Sequence, residues 1–376
     1  MNPTTDHELL CRMALTRLMP LASDKQRALI SELGSAAAVH DHRRHLRDIL
    51  APQAWRVADA LGDIDTVLPR CEAELTYARA HGISVLTLGD AAYPARLAEA
   101  PDAPLVLYAL GHCDFNVRHV VSIVGTRRCT DYGRELCRHL AADLQRALPS
   151  TLVVSGLAYG IDIAAHRACL DSGLPTAAVL AHGLDQIYPR LHRPIAIEML
   201  RTGGLLTEYM SQTRPDKLNF VQRNRIVAAM ADATVVVESA ARGGSLITAS
   251  LAFGYSREVF TFPGRTTDAA SAGCNQLIRS QRAALVTSAA DIISAMQWDA
   301  DTTAAAAPRQ QELFPNLTPD EAALADALRR HSGECALQPL AVALEWPVSR
   351  VMATAFTLEM KGVVAPQPGS SYRLRS

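Results

Sequence analysis

Residues 120–166 read VVSIVGTRRCTDYGRELCRHLAADLQRALPSTLVVSGLAYGIDIAAH, and this stretch decides the fold. It opens with an apolar, β-branched run, VVSIVGT, of the kind that fills a buried parallel strand. The run ends in Gly125-Thr126-Arg127-Arg128, and a helix-length segment follows from about Asp131 to Ala147. TLVVSG then starts a second strand, SGLAYGID a second glycine turn, and Ile163-Ala164-Ala165-His166 continues a second helix. In α/β units of this kind the turns gather at the carboxyl edge of the sheet, where helix N-termini aim backbone N–H groups at an anion. An arginine in the first turn and a bare glycine in the second suit a ligand that carries phosphate.

Further strands are expected at ISVLTLG, LVLYALG, TAAVLA, GLLTEY, ATVVVES and EVFTFPG. Helices are expected near 193–201, 222–231, 245–255 and 289–296. Such alternation predicts an extended Rossmann-like α/β fold, a doubly wound and mostly parallel sheet covered on both faces. We place this domain at residues 81–297. Residues 1–80 read as a small helical domain, with helices over His7–Leu18, Asp24–Leu33 and Thr66–Ala80, Ser23 capping the second and Gly34 ending it. Residues 298–316 lose periodicity and read as a linker. Residues 317–376 begin with Thr318 as N-cap and Pro319 at the first helical position. Two more helices follow, at 337–344 and from Pro347 to Met360, the last stopped by Gly362. A closing hairpin would complete a winged-helix-like module. Its charges cancel, and its third helix offers only Arg350 and Lys361 against Glu359, so protein contact competes with duplex reading.

The chain has 376 residues and a formal charge of -1, which excludes a globally basic coat but not a local basic groove. No apolar run approaches the roughly 20 residues that span a bilayer, and MNPTTDHELL lacks a secretory signal, so a cytoplasmic protein without membrane insertion is expected. The eight cysteines are scattered without a C-x-x-C pair, which predicts buried free thiols. HDHRRHLRD crowds His40, His42 and His45 with Arg43, Arg44 and Arg47; the arginines would repel a cation, so a solvated helix face is expected there.

The chemistry concentrates in RPDKLNFVQRNR, residues 214–225, where Arg214, Lys217, Arg223 and Arg225 face one acid, Asp216. Cations in a first helical turn oppose the macrodipole, a local conflict that a functional site produces. Phe220 could stack an unpaired base beside its phosphate, or could dock the loop as a core residue. Gly243-Gly244 would admit a phosphate to the backbone, with Ser245 capping the following helix. With GTR and SGLAYG this makes three glycine turns on one sheet edge. Asp162 and His166, four apart, could form an acid–base or metal pair, although helix support and packing account for both. Glu208 and Glu238 end strands without any partner legible in the sequence. Nucleophile elbow, P-loop, H-E-x-x-H and G-x-G-x-x-G are all absent.

In order, SIVGTRRCTDYG, VVSGLAYGIDIAAH, AAVLAHGLDQIYP, LLTEY, NFVQRNRIVAAMAD, VVVESAARGGSLITA, REVFTFPG and AGCNQLI resemble the DNA-processing protein DprA (Smf) family, over roughly residues 85–295. The resemblance implies a non-enzymatic, homodimeric single-stranded DNA-binding protein that needs neither metal nor nucleotide and loads RecA recombinase onto incoming strands during natural transformation. It carries a basic pocket onto Arg127, Lys217, Phe220, Arg223, Asn224 and Arg225, with Gly156, Gly243, Gly244 and Ser245 at the rim. It also implies a SAM-like N-terminal domain, but LMPLASDKQRALISELGS lacks a glycine-rich hairpin, so DNA binding is not expected there. Two departures stand out: Ala181-His182 where a glycine is usual, and Ser280-Gln281-Arg282 where Gly-Ala is usual, in the region the family uses for dimer and recombinase contacts. The alternative is a nucleotide-binding enzyme or sensor related to nucleotide phosphoribohydrolases; against it, ARGGSLITA lacks the glutamate of their PGG-x-GT-x-x-E signature.

Overall fold

The computed structural model describes residues 6–18, 23–51, 54–298, 317–331, 334–361, 363–367 and 371–374. The chain falls into two compact units, Met1–Thr302 and Thr303–Ser376. The expected linker lies, but for Trp298, outside the described residues, as do the stop at Gly362 and the side chain of Ser23.

Among its described residues the first unit opens with the helices α1 (Asp6–Arg17), α2 (Ser23–Leu33), α3 (Ala36–Asp41), α4 (Leu46–Ile49), α5 (Trp55–Gly62) and α6 (Ile64–Ala80). Gly34 ends α2 with φ +92°, a conformation open to glycine at little cost. Then come β1 (Ser84–Thr87), α7 (Ala95–Ala98), β2 (Val106–Gly111), β3 (Val120–Val124), α8 (Asp131–Ala147), β4 (Leu152–Ser155), α9 (Ile161–Ser172), β5 (Thr176–Val179), α10 (Arg193–Met199) and β6 (Gly204–Thr207). The unit continues with α11 (Lys217–Ala229), β7 (Ala233–Val236), α12 (Gly244–Gly254), β8 (Glu258–Thr261), α13 (Ala272–Arg279), β9 (Ala284–Leu285) and α14 (Ala289–Ala295).

The nine strands form one sheet in the order β1-β2-β6-β5-β4-β3-β7-β8-β9. From β6 to β9 every neighbouring pair is parallel; β2 alone runs against the rest. This is the Rossmann-like, mostly parallel sheet that the alternation predicts. Alternate residues of β3 face opposite cores, Val120 and Val124 one way, Val121 and Ile123 the other. Fully burying each such side chain contributes about 1.5–3 kcal/mol, so a polar break in the run would cost the sheet its centre. The winding reverses at β3: β4, β5 and β6 lie on one side, β7, β8 and β9 on the other. Ligands bind α/β sheets in the crevice at such a reversal.

One element starts earlier than the sequence reading has it. The basic cluster reads as a loop leading into a helix near 222–231, but α11 already begins at Lys217. Asp216, extended at φ −129°, caps it by accepting from the Leu218 N–H at 2.7 Å, and its charge offsets Lys217 in the first turn. Phe220 and Arg223 are therefore helix residues, and the residues 223–225 stand mid-helix rather than at its start.

The second unit holds α15 (Pro319–Arg330), β10 (Glu334–Ala336), α16 (Leu337–Leu344), α17 (Val348–Met360), β11 (Val364–Gln367) and β12 (Ser371–Leu374). Thr318 and Glu321 form a reciprocal capping box at the start of α15. The hairpin β11–β12 is present, and β10 joins it as a third antiparallel strand. The cations of α17 are engaged: Arg350 with Asp320 at 2.8 Å, Lys361 with Glu321 at 2.7 Å. Met352, Phe356 and Met360, one turn apart in succession, are 50%, 60% and 74% exposed.

Candidate nucleic-acid interface

At the reversal point lies a cleft of about 1000 Å³, floored by the ends of β3 and β7 and walled by α11 and the start of α12. The turn after β3 brings Arg127 and Arg128, the approach to α11 brings Arg214 and Lys217, and the turn after β7 brings Arg242. All five are exposed. No ion pair engages any of them among the described residues. Among the described residues the only carboxylate lining the cleft, Asp162, is 8% exposed; burial pushes its carboxyl up, while Arg223 and Arg127 act against that rise. The wall is therefore positive towards solvent and focuses its field on an incoming anion.

Aromatic rings line the same wall. The Arg127 guanidinium lies over the Phe220 ring, 5.1 Å from its centre, and the Tyr188 ring packs against the same ring, tilted by 52° at 5.7 Å between centroids. His182 holds the Tyr188 loop: its buried Nε2 accepts the Tyr188 N–H at 3.2 Å, so its Nδ1 carries the proton donated to the Gly183 carbonyl at 2.9 Å. Burial lowers the His182 pKa and keeps the ring neutral for this role. The departure from glycine at this position thus props up part of the cleft.

The glycine turns divide the work. Gly160 has φ +79°, and a Cβ there would lie 2.1 Å from the Thr126 carbonyl oxygen, so the second turn buttresses the first. A Cβ on Gly156 would lie 2.2 Å from Arg223 Nη1, so this glycine makes room for a side chain rather than for a ligand. At Gly243 and Gly244 a Cβ would meet nothing closer than 3.4 Å, and no side chain caps α12. That helix start is the one that presents open backbone to an anion. Ser245 is buried and donates to Ser239 Oγ at 2.9 Å, holding the turn rather than capping the helix.

A family model described as DNA recombination-mediator protein A matches residues 84–297. The chain belongs to that family. Within it, the protein named putative DNA processing protein DprA of Mycobacterium tuberculosis is 46% identical over 203 residues, 53% of this chain and 51% of that protein. The chain thus spans about half the length of that relative. The crystal structure of DNA processing protein A from Streptococcus pneumoniae superposes with a TM-score of 0.61 at 28% identity, covering 78% of this chain and 98% of that one. DNA processing protein A from Helicobacter pylori gives 0.52 at 29% identity over 57% of this chain and 95% of that one; its structure is described in terms of a single-stranded DNA binding mode.

Of the residues that the family resemblance singles out, the cleft brings together Arg127, Gly156, Lys217, Phe220, Arg223, Asn224, Gly243, Gly244 and Ser245. Arg225 is not among its lining residues. It turns to the other side of α11 and pairs with Glu208 at 2.5 Å, the two side chains 15% and 16% exposed. Arg223 lines the cleft but is only 3% exposed; its Nη1 donates to the carbonyls of Gly156, at 2.7 Å, and Val179. Its Nε is buried as well and has no hydrogen-bond partner.

The candidate general bases are likewise committed. Glu238, buried, accepts from Thr130 N–H at 2.8 Å and Thr130 Oγ1 at 2.7 Å at the start of α8. His166 Nδ1 bonds Thr176 Oγ1 at 2.7 Å, and burial lowers its pKa to about 3, so it makes no acid–base pair with Asp162. Tyr188, Arg128 and Arg242 complete the site and were not singled out from sequence. For Arg242 the signal was its place in the glycine turn between β7 and α12; Tyr188 arrives from a distant loop.

Stacking and packing at Phe220 make different predictions. Phe220→Ala is expected to weaken binding of a single-stranded oligonucleotide by about 1–3 kcal/mol, one base–aromatic contact, in a fluorescence anisotropy titration. The half-buried ring on a cleft wall leaves the melting temperature nearly unchanged. Early melting with normal affinity would place Phe220 in the core.

Proposed function

We propose that this protein is a single-stranded DNA-binding recombination mediator, acting without catalysis, that covers unpaired strands in the cytosol and delivers them to RecA as a homodimer during natural transformation. The observation that carries the reading is the Arg127–Phe220–Tyr188 cluster, among exposed cations without ion pairs among the described residues, at the reversal point of the sheet. Unpaired bases stack on such rings while the cations follow the phosphates; a duplex keeps its bases stacked inside and gains only the charge. The family membership and the single-stranded DNA binding described for the Helicobacter pylori relative support it. In the second unit, the paired cations and exposed apolar turn of α17 favour contact with protein over contact with DNA.

The test is a pair of measurements on the full chain. Labelled single-stranded and duplex oligonucleotides are titrated in parallel, and nucleoside monophosphates are incubated with the protein and analysed for released base or phosphate. Preference for the single strand with nothing released is the expected result. Metal-independent release that disappears in Asp162→Ala would instead establish the nucleotide-enzyme reading.

A further inference from the structure

A second site lies among the N-terminal helices, away from the DNA cleft. His7 and Cys11 are one turn apart on α1, and His40 faces them from α3. Cys11 is fully buried, its Sγ 3.8 Å from His7 Nε2, and the His7 and His40 rings meet edge-on at 5.6 Å. A ligand-capable atom from each of the three lies within 4.8 Å of the others. Bonds of roughly 2.0–2.3 Å around a tetrahedral zinc ion put ligand atoms about 3.4–3.8 Å apart, so the Cys11–His7 pair already has that spacing and His40 has about 1 Å to close.

The surroundings of His40 are those of a metal ligand. Its Nε2 bonds Asp65 Oδ1 at 2.8 Å, which fixes the proton on Nε2 and leaves the lone pair on Nδ1. Nδ1 is buried and has no hydrogen-bond partner, the cost of which a structural histidine would avoid. The Asp41 carboxylate, 3.6 Å from Nδ1 and largely exposed, can turn in as a fourth ligand. Arg43, three residues beyond His40, is turned to Asp65 at 2.9 Å and to the His40 carbonyl. The neighbouring histidines take no part: His42 Nδ1 bonds the Ala38 carbonyl at 2.8 Å, and His45 is exposed beside Asp48.

We propose that His7, Cys11 and His40 bind one zinc ion, with Asp41 or water as fourth ligand, and that the ion ties α1 to α3. On binding, the Cys11 thiol gives its proton to solvent and the thiolate takes the metal. The donor set of two imidazoles and a thiolate suits zinc and cobalt over magnesium or calcium. The spacing His-x3-Cys plus a distant His hides such a site from a search for paired cysteines.

Cobalt(II) added to the metal-free full chain is the direct probe. A thiolate-to-cobalt charge-transfer band in the near ultraviolet, saturating at one equivalent and displaced by zinc, is the expected result. Cys11→Ser should abolish the band and His42→Ala should leave it intact. Asp65→Asn keeps the fold and all ligands, and should weaken zinc binding about 10- to 100-fold in competition with a chromophoric chelator. Should Cys11→Ser fail to fold, His40→Gln carries the same expectation. Absence of the band in the full chain, its survival in both ligand variants, or cobalt binding without thiolate character would each overturn the proposal.

Discussion

Arg127→Ala, Arg214→Ala and Lys217→Ala, combined in one chain, should flatten the salt dependence of single-strand binding by about 2 units of slope. Each phosphate contact on single-stranded DNA contributes about 0.7 to the slope of log affinity against log salt, and three are removed. Between roughly 50 and 200 mM salt the unaltered protein should lose about 20-fold more affinity than the variant. The three side chains are exposed and free of ion pairs among the described residues, so stability should stay within about 0.5 kcal/mol. Anisotropy titrations at four or five salt concentrations read the slopes directly. Parallel lines for the two proteins would mean that these cations do not touch the phosphates.

Arg223→Ala should act on the fold instead. The guanidinium joins the turn after β4 to the end of β5 through two backbone carbonyls, and it works against the rise that burial imposes on the Asp162 carboxyl. Its loss leaves both carbonyls without this donor and a buried carboxylate without its main compensating charge. Removing one member of such a group costs about 3–5 kcal/mol. For a unit of this size that lowers the melting temperature by roughly 6–15 °C. Arg223→Lys should recover little, because a single ammonium cannot reproduce the planar fork. Circular dichroism melts decide it: normal melting with lost DNA binding would make Arg223 a ligand contact and nothing more. Arg225→Ala belongs on the same side of this division, since it strips the half-buried Glu208 of its partner.

The difference between those two arginines shows what the sequence could and could not say. Runs such as VVSIV and TLVVSG, each closed by glycine, make the sheet legible, because a strand buried on both faces tolerates little but apolar, branched residues. Residues at strand ends must then converge at one edge, which is why Arg127, Gly156, Gly243 and Gly244 meet. The basic cluster was harder. On a helix, residues two apart point about 200° away from each other, so Arg223 and Arg225 cannot share a face. Reading the cluster as a loop concealed that. Asp216 before Lys-Leu-Asn was the available sign of a helix start. Tyr188 was out of reach for another reason: only tertiary packing, with His182 beneath its backbone, brings it to Phe220. The second departure also acts locally. Gln281 adopts φ +55°, where a glycine would be at ease, and Arg282 lies over Phe253 at 5.7 Å.

Strand β2 has its two faces claimed by different partners. Leu107 and Ala109 belong to the core of the sheet domain, whereas Val106 and Tyr108 are buried in the core of the N-terminal helices, together with Leu105 and Met210. Those helices end at Ala80, before the family match begins at residue 84. The matched part of the molecule therefore carries an apolar strand face that residues outside the match help to cover. The two are bound to each other in solubility: a chain cut back to the matched residues would bare Val106 and Tyr108 to water unless those positions turned polar or another cover took the helices' place.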